Sequence, residues 1–470
     1  MTPHQFETTA EQREPIELPV IGTFPPHVAG VLYRTEPARY KVPGSKYQLH
    51  HWFDGFTQLH RFQLVPRSSG LCKVLYNSRR QVDALIEEVR KTGSLRGMTP
   101  VQKRNPCANF FQKAKAVFEI ISRPELRGLS QGFLPTPKFP LDSTVKEDFE
   151  SNHSDRRDLI KHIDPETLEP LGVTRQEGLH PEPKGPLSSA HPKLGPITGD
   201  LYNYNLAFGR HRQNRNSGHY HWARRAGCLP ALLLLESGLW ILCIWSALFV
   251  AGAVKVLWER NLLDAMRFDP ETPTRWYIVD RKGGRGFVAT FVSPAFFSFH
   301  TINAWQMDDV DGEEEVPRNG TTDIICHLIQ YHTDEMLHRV FYECLISTGS
   351  KVEKHYGSDR SRLRLATAEL TIASDAVGDL PTINLKFTGR KTRFVYNLCT
   401  QEKSSFFDGT AKVDGDTQES TIWSRGRHTP GEAIFVPEPG AEAEDAGFLL
   451  SVVLNGDIGS SYLLCLMLGR

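Results

Sequence analysis

The chain has 470 residues, of which 40% are hydrophobic, 10% aromatic and 23% charged, an ordinary globular usage that excludes a wholly disordered, collagenous or coiled-coil protein. Lys plus Arg equals Asp plus Glu at 55 each and no basic run is interleaved with aromatics, so no nucleic-acid partner is expected. The eight cysteines are scattered and form no C-x-x-C pair, which argues against a zinc ribbon or disulfide framework and for a reducing, cytoplasmic setting.

Residues 1–20 form a polar tail without the basic start and apolar run of a secretory leader. From 21 to 470 the chain reads as a single domain of short β-type runs, at 60–65, 73–78, 275–281, 286–292, 339–346, 393–399, 432–437, 447–454 and 461–468. They are rich in Val, Phe, Tyr, Ile and Leu and are punctuated by Gly, Pro, Asp and Asn. The fold class is all-β: a barrel, a sandwich or a propeller, with no fixed-period repeat to choose between them. Two helices interrupt the series. Val82, Leu85, Ile86 and Val89 recur at helical spacing over 82–91, and Phe111, Ala114, Val117 and Phe118 share one face of a helix over 105–120. Loop insertions fall near 121–162 and 307–320; the acidic DDVDGEEE in the latter lacks calcium-loop spacing.

Residues 237–254 carry no charge and are just long enough to cross a bilayer. Arg224 and Arg225 before them and Lys255 and Arg260 after them give no orientation bias, and Glu236 interrupts the longer apolar run. Two buried strands joined by a turn near 246–252 account for the same composition.

No HExxH, GxSxG, P-loop or paired Cys/His motif is present. Among eighteen histidines two stand in unusual settings: His191 in SSAHPKLGPITGDLYNYNL, where the following proline keeps the backbone extended, and His300 in the apolar, aromatic FVSPAFFSFHTINAWQ. On composition alone each is more often a hydrogen-bonded turn or core histidine than one member of a His-only metal site assembled from separate strands.

These two contexts resemble metal-ligand motifs of the carotenoid cleavage oxygenase family, in its fungal branch. VLYRTEPARY (31–40), HHWFDGFTQLHRFQL (50–64), IDPETLEPLG (163–172), VLWERNLLDAM (256–266), DLPTIN (379–384) and GEAIFVPEPGAEAEDAGFLLSVVLNG (431–456) continue the resemblance in the family's order over nearly the whole chain. It implies a seven-bladed β-propeller with a helix and loop cap over an axial metal site, one non-haem Fe(2+) held by four histidines, and O2-dependent cleavage of a C=C bond. The substrate it implies is a hydrophobic polyene (carotenoid or apocarotenoid) or a stilbene, giving two carbonyl products. His191 and His300 would then be metal ligands. Glu432, in GEAIFVP, would be the carboxylate that accepts a hydrogen bond from a ligating imidazole and fixes its tautomer. Neutral imidazoles suit ferrous iron and leave positions open for O2. Asp379, in DLPTIN, stands where many members have Glu; it is one methylene shorter and is not assigned that role. Such substrates dissolve in membranes or lipid droplets, so peripheral contact with one is expected.

The departures from the family matter as much. CLPALLLLESGLW, before the segment matching 241–245, holds no histidine where the second ligand should be, and 210–240 is short and lacks β-alternation. That pattern suits a frameshift or mis-assigned intron restoring the frame near Ile241. His219 and His221 lie nearby, in a basic, irregular segment with no family counterpart. The chain stops at SYLLCLMLGR, before the Phe-His-Gly of the fourth ligand, which leaves the last blade incomplete. Glu36 replaces the usual Gly in RTEP, and 143–161 does not match, so the family's third carboxylate cannot be placed. Two rivals follow: a catalytically dead relative that binds a hydrophobic polyene or aromatic without cleaving it, and a single-span membrane protein.

Overall fold

The structure is a computed structural model that describes residues 6–7, 10–68, 70–95, 97, 99–104, 109–122, 159–175, 187–188, 193–194, 201–202, 205–206, 230–235, 238–250, 254–280, 284–306, 323–346, 376–401 and 403–468. It is a mostly β protein with few helices. Gly30–Arg39, Phe56–Pro66 and Cys72–Arg80 form an antiparallel meander, with Ile16–Leu18 on the outer side of the last, as the N-terminal sheet. A central sheet runs Pro230–Leu234, Leu239–Ile244, Thr274–Asp280, Gly286–Ser293, and a third runs Asp379–Thr382, Phe394–Cys399, Gly409–Asp414, Ser420–Trp423. In the C-terminal sheet Ser460–Met467 takes the whole of one side of Gly447–Asn455, so His428–Pro430 and Ile434–Pro437 share the other and that sheet is three strands wide. Thr301–Gln306 pairs with Ile324–Leu328 between the central and third sheets.

The hairpin turns explain why these runs fold back where they do. Asp164 accepts the N–H groups of Glu166 and Thr167, and Asp414 those of Asp416 and Thr417, so each D-x-x-T sequence closes on its own side chain. Asp269 likewise accepts the Glu271 N–H and the Thr272 hydroxyl, but in a bend rather than a hairpin, since Met266–Phe268 and Thr274–Asp280 on either side pair with different strands.

The sheets pack side by side in chain order. Leu233, Ile241 and Trp276 of the central sheet share a core with Ala304 and Leu328. Asn303 then ties Thr301–Gln306 to the segment behind the first strand of the third sheet, and Tyr396 stacks on Phe435 to join the third sheet to the C-terminal one. Finally Phe62, Leu64 and Val74 meet Phe448 and Leu450, bringing the first sheet against the last. Each buried Leu, Ile, Val or Phe among these contributes about 1.5–3 kcal/mol.

Several expectations change. Residues 339–346 are not a strand: Glu335–Arg339 and Tyr342–Leu345 are short helices, because Leu337, Phe341 and Leu345 are buried at four-residue spacing and that period overrides β propensity. The helix expected over 82–91 is Asp83–Thr92, closed by the left-handed Gly93. The second helix is Phe110–Ser122, where Phe110, Phe111 and Phe118 are exposed by 67%, 80% and 69% while Ala114 and Val117 are half-buried. No helix among the described residues is long and apolar enough to cross a membrane, and the apolar stretch instead supplies strands. The chain reverses at Gly238 (φ +85°), rather than near 246–252, and Ala247–Phe249 pairs with Met266–Phe268. Pro230–Leu234, which lacks alternation, is nonetheless a strand, with Leu233 buried. Most of the two expected insertions, 123–158 and 307–322, lies outside the described residues, and 159–163 is a strand.

Candidate metal centre

The site is built on the segment between Gly286–Ser293 and Thr301–Gln306. Phe297 and Tyr331 exchange both backbone hydrogen bonds, at 2.9 and 2.7 Å, and the Ile329 N–H donates to the His300 carbonyl at 3.0 Å. Three residues on, the Asn303 amide donates to the carbonyls of Phe387 and Arg390 (both 2.8 Å) and to the Thr392 hydroxyl (2.7 Å), while its oxygen accepts from the Gly389 N–H (2.9 Å). The NAW after the histidine is thus a clamp that fixes the strand to the third sheet.

Asp379 opens that sheet, in a tightly specified piece of backbone. A Cβ on Gly378 would come within 1.8 Å of the Leu398 carbonyl oxygen, so no other residue fits there. Leu380 adopts φ +54°, a left-handed conformation costing about 1–2 kcal/mol in a non-glycine residue. In return its N–H folds back to donate to Asp379 Oδ1 at 2.8 Å. The same oxygen faces His300 Nδ1 at 2.6 Å, and Oδ2 accepts the Tyr331 hydroxyl at 2.8 Å. Burial pushes the imidazole towards its neutral form, but the facing carboxylate outweighs it and holds His300 above its ordinary value. Burial likewise pushes the Asp379 carboxyl up, and His300 and Tyr331 hold it below the usual carboxylate range.

This arrangement corrects the assignment made from side-chain length. Asp379, not assigned a role above, is the carboxylate that engages His300, because the Gly378 close approach and the Leu380 turn carry its backbone forward. Glu432 lies just before Ile434–Pro437, over a third exposed, with Oε2 3.8 Å from Arg34 Nη1. Arg34 also donates to the Glu432 carbonyl at 2.7 Å. Glu432 accepts no histidine hydrogen bond among the described residues, though its charge acts on His300. His191 lies outside the described residues, as do His219 and His221. Lys193, two residues beyond His191, is described, and its charge acts on His300 while Glu432 acts on it. The strand that follows His191 therefore runs beside the site. Among the described residues no three His, Cys, Asp or Glu side chains converge as a metal cage. Tyr331 and Arg34 escaped the sequence, since nothing local distinguishes them; Asp379 was visible in its motif.

In fold, the chain is similar to variants of Synechocystis apocarotenoid oxygenase, with TM-scores of 0.65 and 0.64 at 18% identity, covering 99% of this chain and 92% of those. At the level of sequence, the retinal pigment epithelial membrane protein family matches residues 5–467. A torulene dioxygenase of Gibberella fujikuroi is 36% identical over 518 positions, covering 98% of this chain and 88% of the relative. A carotenoid dioxygenase of Neurospora crassa is 32% identical over 541 positions, covering 98% and 86%. Both alignments are longer than 470 residues, so these relatives carry internal stretches that this chain lacks. The chain belongs to the retinal pigment epithelial membrane protein family, the carotenoid oxygenases, and is an oxygenase-type dioxygenase.

Proposed function

We propose that the chain cleaves a conjugated C=C bond of a carotenoid or apocarotenoid with Fe(2+) and O2, on a seven-bladed propeller whose cap includes Asp83–Thr92. The observation that carries this is the Asp379–His300 contact. With Nδ1 spent on the carboxylate, the nitrogen that would face a metal is Nε2, and its direction is set by a buried, triply anchored partner. That donor chemistry fits ferrous iron, which would bind O2 beside the polyene. His300 and His191 would hold the ion. Asp379 would keep the proton on Nδ1 and leave Nε2 as the nitrogen available to the ion. Glu432, held by Arg34, would orient a further imidazole. The side-by-side packing of successive sheets, with the first against the last, supports the propeller. Carotenoids rank above stilbenes as substrate because the relatives at 32% and 36% identity are a carotenoid and a torulene dioxygenase.

The test is incubation of purified protein with Fe(2+), O2 and a micellar carotenoid, followed by chromatography of the products. Two carbonyl fragments are expected. Unchanged carotenoid with saturable, chelator-insensitive thermal stabilisation would instead establish the binding-only relative.

The exposed Phe110, Phe111 and Phe118, with the exposed Lys115 on the same helix, would lie on a lipid surface from which the substrate is drawn. Flotation with anionic vesicles checks this: Phe111→Ser should cut the floated fraction, and an unchanged fraction would refute it.

A further inference from the structure

Tyr331 is buried among Phe297 and Phe299, whose ring centroids lie 6.5 and 6.4 Å from its own. A phenylalanine would fill that apolar space equally well, so packing does not account for the hydroxyl. Among the described residues the hydroxyl donates to Asp379 Oδ2, at 2.8 Å. The backbone of Tyr331 is bridged to Phe297, three residues before His300, and the chain just before it holds the His300 carbonyl. One stretch of backbone pairing thus delivers both a hydroxyl and an imidazole to the two oxygens of one carboxylate. An aspartate has a methylene less reach than a glutamate, and a carboxylate held through Oδ1 alone can pivot about its Cβ–Cγ bond.

We propose that Tyr331 is a positioning residue: by anchoring Oδ2 it fixes the plane of the Asp379 carboxylate and thereby holds His300 in the Nδ1–H tautomer with Nε2 aimed at the metal. The inference rests on the reading of His300 as an iron ligand, and it makes a short carboxylate sufficient for the task. A longer carboxylate should do without the tyrosine hydroxyl. The proposal therefore predicts rescue: Tyr331→Phe loosens the imidazole, and Tyr331→Phe combined with Asp379→Glu tightens it again.

The experiment uses the full chain labelled with 15N-histidine, metal-free, and then titrated anaerobically with Fe(2+). The His300 Nδ1–H signal is assigned by its disappearance in His300→Gln. Wild type should show one slowly exchanging Nδ1–H. Tyr331→Phe should exchange it faster and bind Fe(2+) about tenfold more weakly, and the double variant should return both readouts towards wild type. An Nδ1–H as protected in Tyr331→Phe as in wild type, or a double variant no better than Tyr331→Phe, overturns the proposal. The ligand reading fails separately, if His300→Gln binds Fe(2+) as well as wild type or wild type binds none. The Nδ1–H series then still decides the role of Tyr331.

Discussion

Two carboxylates flank this site, and they are held in opposite ways. Asp379 is 3% exposed and receives an imidazole, a backbone N–H and a phenol. Glu432 sits in the more open connection between His428–Pro430 and Ile434–Pro437, with a guanidinium 3.8 Å away. Removing the acceptor from a buried, fully engaged cluster strands its donors, whereas an exposed pair is screened and cheap to lose. Orientation of a metal ligand calls for the first kind of environment, and side-chain length is secondary to where the backbone carries the carboxylate.

The largest expected effect follows directly. Asp379→Ala leaves His300 and the Tyr331 hydroxyl without their acceptor and should cost about 3–5 kcal/mol in denaturant unfolding; a loss below about 1 kcal/mol would erase the contrast between the two carboxylates. Two histidines differ in the same way. His51 is fully buried and neutral, with Nε2 donating to the Leu337 carbonyl at 2.7 Å and Nδ1 accepting the Phe53 N–H at 3.1 Å. Burial pushes it down to about 4. As pH falls below 6.5 the unfolded chain takes up a proton that the folded chain refuses, so His51 should withdraw up to about 3 kcal/mol of stability between pH 6.5 and 4. His300, held above its ordinary value, acts with the opposite sign: its contribution is present below 6.5 and is lost as pH rises through its folded value. Unfolding free energies from pH 4 to 7.5 should show the His51 slope in wild type and a flatter curve in His51→Phe.

Gly378→Ala, which drives a methyl into the Leu398 carbonyl, should cost about 1–3 kcal/mol and displace Asp379. Weaker Fe(2+) binding would accompany it. The smallest change is Glu432→Gln, expected to shift unfolding by less than about 1 kcal/mol. A loss as large as that of Asp379→Ala would place Glu432 in a buried network after all.

Much of the fold was legible because strand runs and turns announce themselves locally. Eight of the nine expected β runs coincide with strands, and the D-x-x-T sequences at Asp164 and Asp414 were an overlooked signature of two hairpins. Residues 339–346 misled because Val, Phe, Tyr and Ile suit a strand while their burial follows a helical period. His300 was singled out from its aromatic setting, and the structure places it against a buried carboxylate. Its carboxylate was discounted because a sequence states the length of a side chain and not the path of the backbone beneath it, here set by Gly378 and the left-handed Leu380. Tyr331 could not be read at all, since its link to Asp379 spans 48 residues and has no local pattern.

The central claim is that His300, oriented by Asp379, holds iron. Anaerobic loading of the full chain with Fe(2+), desalting and measurement of iron per protein tests it most directly, with His300→Ala alongside. Retention of iron by wild type and its loss in His300→Ala is the predicted result. Equal iron in both, or none in wild type, would contradict it.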